Sequence, residues 1–313
     1  MPDIHQILDK KIQPGILYRL NPAHFGMHGR GICLFQALSR REQVLYEAYW
    51  GLQEKPFENT PDPRFLYLSE EGSDVHTRLL YALQSKRGAV MLTGTSGCGK
   101  TLMARALVQE LDPEKTEVAL LTNPRWNADD FLREILYQLG EESDLAERSQ
   151  IIHRLNELLY ENYSAGKETL VLIDEGQLIE DQTVLEEIRL LLNFQLNDAF
   201  LITLMLVGQE SMAHQIREFA PLDQRIAVRG ILKPLSQDEV GSYIAHRLEV
   251  AGRREPMFTE DAVALIDEHS AGIPRKINNI CDIALVIGFS RKCEQIDADW
   301  IRRLIQAESG NGT

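Results

Sequence analysis

Apolar positions along this chain recur in two rhythms, and the rhythms alternate. From Leu68 to Ser85 they return at helical spacing, with Val75, Leu79, Leu80 and Leu83 at i, i+4, i+5 and i+8, which predicts a helix. Ala89 to Thr93 is a short continuous apolar run, the mark of a buried strand, and Lys100 to Leu111 reads as the next helix. Glu117 to Thr122 is a second strand, followed by amphipathic helices over Ala128 to Leu139 and Ser149 to Tyr163. Leu170 to Ile173 is a third strand, Val184 to Phe194 a helix, and Leu201 to Val207 and Ile226 to Leu232 are further strands. Strands that alternate with helices need crossover connections. The expected fold is therefore α/β, a parallel sheet covered by helices on both faces.

After about Leu235 the strands stop. Ser236-Gln237-Asp238-Glu239 has the spacing of a capping box and opens a helix running to Val250. Thr259 caps a second helix, ending near Gly272. Pro274 begins a third, to about Phe289, and Asp297 caps a fourth through Gln306. The expected organisation is thus an arm over residues 1–44, an α/β core over 45–235, and a small all-α lid over 236–313.

Composition adjusts this picture little. A hydrophobic fraction of 44% and a charged fraction of 26% are those of an ordinary globular chain. The longest strongly apolar run, Ala199 to Gly208, is about half of the ~20 residues a membrane helix needs, and no charged-then-apolar signal opens the chain. A cytoplasmic location is expected. Cys33, Cys98, Cys281 and Cys293 lack C-x-x-C spacing, which counts against a zinc site or a disulfide scaffold. The net charge of −14 disfavours a protein that coats DNA through its bulk field, so there is no strong nucleic-acid signal. The arm differs: Lys10, Lys11, Arg19, Arg30, Arg40 and Arg41 outnumber Asp3, Asp9 and Glu42 there. It is rich in Gly, Pro and His, without periodicity, and reads as poorly ordered, its His5, His24 and His28 as ordinary surface histidines.

The chemistry begins between the first strand and its helix. Gly94-Thr95-Ser96-Gly97-Cys98-Gly99-Lys100-Thr101 fits G-x-x-x-x-G-K-[ST] without a mismatch. Glycines let the backbone wrap closely around a phosphate with its N–H groups inward, and the helix start adds free N–H groups and a positive dipole end. Lys100 is expected at the β- and γ-phosphates of ATP, Thr101 on Mg²⁺, and Leu102 beside them as the next nucleotide-binding position. Cys98 reads as a small filler, with a redox switch as the sharper alternative. The apolar strand Leu170 to Ile173 then ends on Asp174-Glu175, where adjacent carboxylates need a cation. Asp174 is assigned to Mg²⁺ and Glu175 to the attacking water as general base. The strand Glu117 to Thr122, between these motifs in the chain, marks the class whose sheet has an extra strand between the two phosphate-site strands. Gln209 ends another apolar strand and is expected near the γ-phosphate or the water. Arg275 opens a lid helix, from which it can fold back onto the phosphates. Arg225 and Arg229 flank the fifth strand, and Arg225 is preferred as a finger reaching a neighbouring subunit's γ-phosphate.

Several separate stretches resemble the AAA+ ATPases of the general secretion pathway A (ExeA-type) family, over about Leu45 to Gln306. They are Tyr46-Glu47-Ala48-Tyr49-Trp50-Gly51-Leu52, Lys55-Pro56-Phe57, Thr60 to Ser69, Asp174-Glu175 with Gln177, Leu206-Val207-Gly208-Gln209, Gln224-Arg225-Ile226, and Gly272 to Asn278. The resemblance implies an AAA+ core with a helical lid, ring-like or filamentous homo-oligomers, and Phe57 with Pro56 and Pro63 near the adenine. It also implies work with a membrane-protein partner of a secretion or pilus system, placing a secretin or pilus-type machine in the envelope, with peripheral attachment at the inner membrane as one location. Many members continue into a membrane helix and a peptidoglycan-binding part, whereas this chain stops at Thr313. It also carries Gly72 where relatives usually have histidine, and relatives usually begin near Tyr46. Two other classes share the motifs. One is a DNA-transposition helper ATPase, against which the acidic charge weighs. The other is a nucleotide-dependent scaffold without turnover, against which Glu175 weighs.

No phosphate-site residue lies before Leu45, and Val44 and Leu45 can be encoded by GTG and TTG, both usable bacterial start codons. A protein beginning at Leu45 is therefore expected to melt at the same temperature and hydrolyse ATP at the same rate as the full chain. Loss of either on truncation would instead make the arm part of the working protein.

Overall fold

In the computed structural model, residues 46–141, 145, 147–197 and 199–310 are described. The arm expected over 1–44, with its three histidines, lies outside the described residues.

Five strands form one parallel sheet: β1 (Ala89–Gly94), β2 (Thr116–Leu121), β3 (Glu168–Ile173), β4 (Thr203–Gly208) and β5 (Ile226–Leu232), in the order β2-β3-β4-β1-β5. Successive side chains of a strand point to opposite faces, and two separate cores follow from that alternation. Met91, Ala119, Leu121, Val171, Ile173, Leu204 and Leu206 pack on one face with α3 (Ala128–Gln138), α4 (Arg148–Ser164), α5 (Gln182–Leu191) and α6 (Glu210–Glu218). Val90, Leu92, Leu170, Leu172, Met205 and Val207 pack on the other with α1 (Glu70–Gln84) and α2 (Lys100–Gln109). Because β1, β3 and β4 are covered on both sides, they are apolar at nearly every position, which is why they read as runs rather than alternations.

The helices begin where short polar side chains can take up free backbone N–H groups. Ser69 accepts from the Gly72 amide before α1, Asn127 from Asp130 before α3, and Asp181 from Thr183 before α5. Two helices were not legible from periodicity: α6, and the four-residue α7 (Ala220–Asp223) after it. Met212, Ala213 and Ile216 form the buried stripe of α6. The sheet has the expected extra strand between the two that end at the phosphate motifs, but it is not the strand over Glu117 to Thr122. The strand that separates β1 from β3 in space is β4, while β2 lies at the sheet edge beyond β3.

The remaining elements are helical: α8 (Gln237–Val250), opened by the expected Ser236–Glu239 capping box, α9 (Glu260–Ser270), α10 (Pro274–Arg291) and α11 (Ala298–Gly310). Their apolar stripes, such as Ile277, Ile280, Cys281, Ala284 and Leu285 of α10, close a third core. The chain before α1 joins that core rather than the sheet. Tyr46, Trp50, Leu52 and Phe57 are buried in it, although sequence reading grouped them with the α/β core. This strap is also hydrogen-bonded: Trp50 Nε1 donates to Leu285 O at 2.9 Å, the Gln53 amide to Ala251 O at 2.8 Å, and Arg253 to Trp50 O. Polar groups of an irregular segment need partners when buried, and here the helices supply them.

Trp50 is 2% exposed at the centre of this attachment. Trp50→Ala is expected to cost about 3–5 kcal/mol of stability, read as a lower denaturant midpoint. A change under ~1 kcal/mol would mean the strap does not belong to the helical core's cooperative unit.

Candidate functional site

The carboxyl ends of β1, β3 and β4 lie side by side, and the polar residues that follow each strand meet there. After β1 the loop runs into α2, whose first residue is Lys100. The Lys100 side chain is 9% exposed and its Nζ donates to Thr95 O at 3.0 Å. Burial pulls its ammonium below the ordinary lysine range, opposed by Cys98, Glu175 and Asp174 and helped by Arg275. Among the described residues no carboxylate pairs with it. A buried cation at the first residue of a helix and without a bonded anion is a receptor for one, and a phosphate fits.

Thr101 Oγ1 donates to Asp174 Oδ2 at 2.7 Å, while Asp174 Oδ1 accepts the Glu175 amide at 2.8 Å. Asp174 is 5% exposed and Glu175 is exposed. The divergence has a backbone cause: Glu175 sits at φ 54°, in the left-handed region, which costs a side-chain-bearing residue roughly 1–2 kcal/mol. The chain thereby turns sharply after β3, so Asp174 faces α2 while Glu175 projects into the cleft. Glycine would adopt this turn without strain but would lack the carboxylate. A hydroxyl and a carboxylate oxygen side by side are hard donors of the kind Mg²⁺ takes, so Thr101 and Asp174 fit that ion.

The cleft has three walls. Ser96, Gly97, Gly99, Lys100, Thr101 and Leu102 form the first, with Glu175 and Gln209 at its end. Glu58, Asn59, Thr60 and Pro61 of the strap form the second, and Tyr243, Arg247, Pro274, Arg275 and Asn278 of α8 and α10 the third. Loop and helical wall touch directly: the Arg275 amide donates to Gly97 O at 3.2 Å. Gly97 has φ +86°, and a Cβ there would stand 2.9 Å from Arg275 Cβ, so this close approach requires glycine. The Arg275 side chain is exposed and has no ion pair among the described residues.

Strap and helices are joined by a chain of amides and a buried guanidinium that sequence reasoning missed. Arg247, 3% exposed, donates to Pro56 O and to Glu58 O, and lies 4.5 Å over the Phe65 ring. Tyr243 Oη donates to Asn278 Oδ1 at 2.8 Å, and Asn278 Nδ2 donates to Asn59 Oδ1 at 3.0 Å. Asn278 lies in the Gly272–Asn278 stretch quoted above, but nothing local marks Arg247 as other than a last-turn helix residue.

Several residues expected at the nucleotide lie off the cleft surface, and both arginines considered as fingers lie outside it. Phe57 is 1% exposed, its ring edge-on to Phe258 in the helical core, and does not line the cleft. Burying a whole ring among apolar neighbours wins over presenting it to a polar cleft, and residues 58–61 take the wall instead. Arg225 points away from the cleft, donating to Asn193 Oδ1 at 3.0 Å beyond the end of α5, and Arg229 is paired with Asp223 at 2.8 Å. Gly94, Thr95 and Cys98 belong to the loop but not to the cleft surface. Cys98 turns inward to the core beneath α2.

The AAA domain family matches residues 83–216. General secretion pathway protein A of Aeromonas hydrophila is 39% identical over 256 residues, covering 80% of this chain and 46% of that protein. An uncharacterised helix-turn-helix-type transcriptional regulator of Methanocaldococcus jannaschii is 25% identical, over 72% of this chain and 64% of that protein. This chain therefore spans about half to two thirds of the relatives it matches. Among solved structures, the Aeropyrum pernix ORC2 protein shares the fold with a TM-score of 0.62 at 17% identity, over 81% of this chain and 71% of that one. Thermotoga maritima RuvB does so with a TM-score of 0.54 at 17% identity, over 77% and 70%.

Burial raises the Cys98 thiol above its ordinary range, so the thiolate, the reactive form, is scarcer at neutral pH than for an exposed cysteine. Alkylation of the native protein at neutral pH should leave Cys98 unmodified while denatured protein is labelled there. Mass spectrometry checks this, and rapid native labelling would restore the redox reading.

Proposed function

The chain is a P-loop protein of the AAA+ type related to general secretion pathway protein A, and from that premise we propose that it binds Mg-ATP in this cleft and hydrolyses it. The observation that carries the reading is the buried Lys100 ammonium, without a carboxylate partner among the described residues, opening onto the same cleft as Glu175. Lys100 and the loop amides hold the β- and γ-phosphates. Thr101 and Asp174 hold Mg²⁺, which when bound neutralises charge on the phosphate oxygens. Glu175, exposed to the cleft, accepts the proton of the attacking water, and Gln209 orients that water or the γ-phosphate. Arg275, free of ion pairs on the helical wall, meets the phosphates from the other side, so that nucleotide state is transmitted to the lid.

Arg225 does not line its own cleft, and its role is assigned to a neighbouring subunit's γ-phosphate in a homo-oligomer. The name of the A. hydrophila relative supports service to a secretion or pilus-type machine of the cell envelope, with a membrane protein as partner. Among the described residues no helix is long and apolar enough to cross a membrane; service to an envelope machine is what favours a peripheral place at the cytoplasmic side of the inner membrane.

Glu175→Gln tests the hydrolytic reading. The variant should retain ATP and lose turnover by on the order of 10²-fold or more, since the base is deleted but the phosphate and metal groups remain. Trapped with ATP, it should sediment as a larger species than the apo form. Mixing it with Arg225→Ala should restore part of the activity, because mixed assemblies place an intact arginine beside an intact cleft. Normal hydrolysis by Glu175→Gln would overturn the role of Glu175, and a fully active monomer without rescue would overturn the shared site.

A further inference from the structure

The carboxylate assigned to the attacking water is held by one side chain whose other end is fixed to the next strand. Gln177 Nε2 donates to Glu175 Oε2 at 2.5 Å, and Gln177 Oε1 accepts the Gln209 amide at 3.0 Å. Among the described residues no other side chain bonds the Glu175 carboxylate. We propose that Gln177 is a positioning residue. It ties the Glu175 carboxylate to the carboxyl end of β4, so that the placement of the base and the placement of Gln209 are one mechanical event. The inference rests on the hydrolytic role of Glu175 proposed above.

The chemistry at both ends sets the direction of the amide. A backbone N–H can only donate and an ionised carboxylate can only accept. The oxygen of Gln177 must therefore face Gln209 and its NH₂ must face Glu175; the reverse orientation would set oxygen against oxygen and N–H against N–H. Gln177 does not line the cleft, so any effect on the reaction passes through its two partners, Glu175 and Gln209. Glu175 is exposed and stands on a strained, left-handed residue, so without a tether its side chain would sample several rotamers.

The surroundings are shaped to admit this bridge. A Cβ on Gly208 would lie 2.9 Å from Gln177 Oε1 and 2.7 Å from Met212 Sδ, so a side chain there would push the amide off its present position at the end of β4. Met212, buried in the first turn of α6, fills the space behind both strand ends. A shift of Gln209 on meeting a phosphate oxygen would pull its own amide, hence the Gln177 amide, hence the carboxylate. Asparagine is one methylene shorter and aspartate or glutamate lacks the donor, so glutamine is the residue that spans both partners.

The test uses the full chain and two substitutions of similar size. Gln177→Leu removes both hydrogen bonds. Gln177→Glu keeps an acceptor for the Gln209 amide but sets a carboxylate against Glu175. Both are expected to lower kcat about tenfold or more while leaving KM for ATP and the melting temperature nearly unchanged, since a misplaced catalytic group loses rate rather than affinity. Gln177→Glu should be at least as impaired as Gln177→Leu despite its closer shape. In a Glu175→Gln background, Gln177→Leu should cause a clearly smaller fold-loss than in the parent chain, because the base it positions is already gone and only its hold on Gln209 remains to be lost. An unchanged or raised kcat in Gln177→Leu, or the same fold-loss in both backgrounds, overturns the bridge. Failure of the underlying reading is distinct: Glu175→Gln would then hydrolyse ATP normally whatever residue occupies position 177.

Discussion

Parallel pairing of β1, β4 and β3 is the constraint from which the site follows. In a parallel sheet every strand delivers its carboxyl end to the same edge. With β4 between them, β1 and β3 are two strand spacings apart, about 10 Å. That gap is too wide for their own backbones to meet and narrow enough for side chains to bridge. The Thr101–Asp174 hydrogen bond at 2.7 Å crosses it from the helix after β1 to the end of β3. The Gln177 amide spans the narrower step from β3 to β4. Each polar group at this edge has a place because a buried, apolar strand stops there and can bury no further residue.

The site is built around imbalance of charge. Among the described residues Lys100 is nearly buried without a carboxylate in direct contact and Arg275 makes no ion pair, while Glu175 and Asp174 act on Lys100 only across a distance. For the buried Lys100 that is costly, and the cost is borne by the packing of the sheet around it. Arg247 is buried too, yet it is satisfied by the carbonyls of Pro56 and Glu58, the Tyr243 hydroxyl and the Phe65 ring. The two situations separate a residue that waits for a ligand from one that fastens the fold.

Arg247 also explains why the segment before α1 belongs to the helical core. Its guanidinium holds two strap carbonyls, and Trp50 and Phe57 fill the same apolar core from the strap side. Two of the three walls of the cleft, strap and helices, are thus one packed body. The third wall, the phosphate loop, meets it at the Gly97–Arg275 contact. The strap also touches α2 through residues 63–65 and packs Leu66 and Leu68 on the sheet core, so the two bodies meet on both sides of the cleft.

Much of this was legible in the residues themselves. Buried strands announce themselves as apolar runs, helices as stripes with polar caps, and the phosphate loop as glycines at fixed offsets, because each depends on neighbours within a few positions. Asp174 and Glu175 were legible because carboxylates do not end a buried strand without cause. What the sequence left open depends on contacts between distant positions: the place of β4 between β1 and β3, the burial of Phe57, the attachment of the strap through Arg247, and the bridge through Gln177. A glutamine two residues after a carboxylate has no distinctive local signal. Its role arises only when Gln209, 32 positions later, is brought within 3.0 Å by strand pairing. Local patterning determined which elements form and which residues carry chemistry; tertiary packing decided which of them meet, because hydrogen bonds act over ångströms in space and not over intervals of sequence.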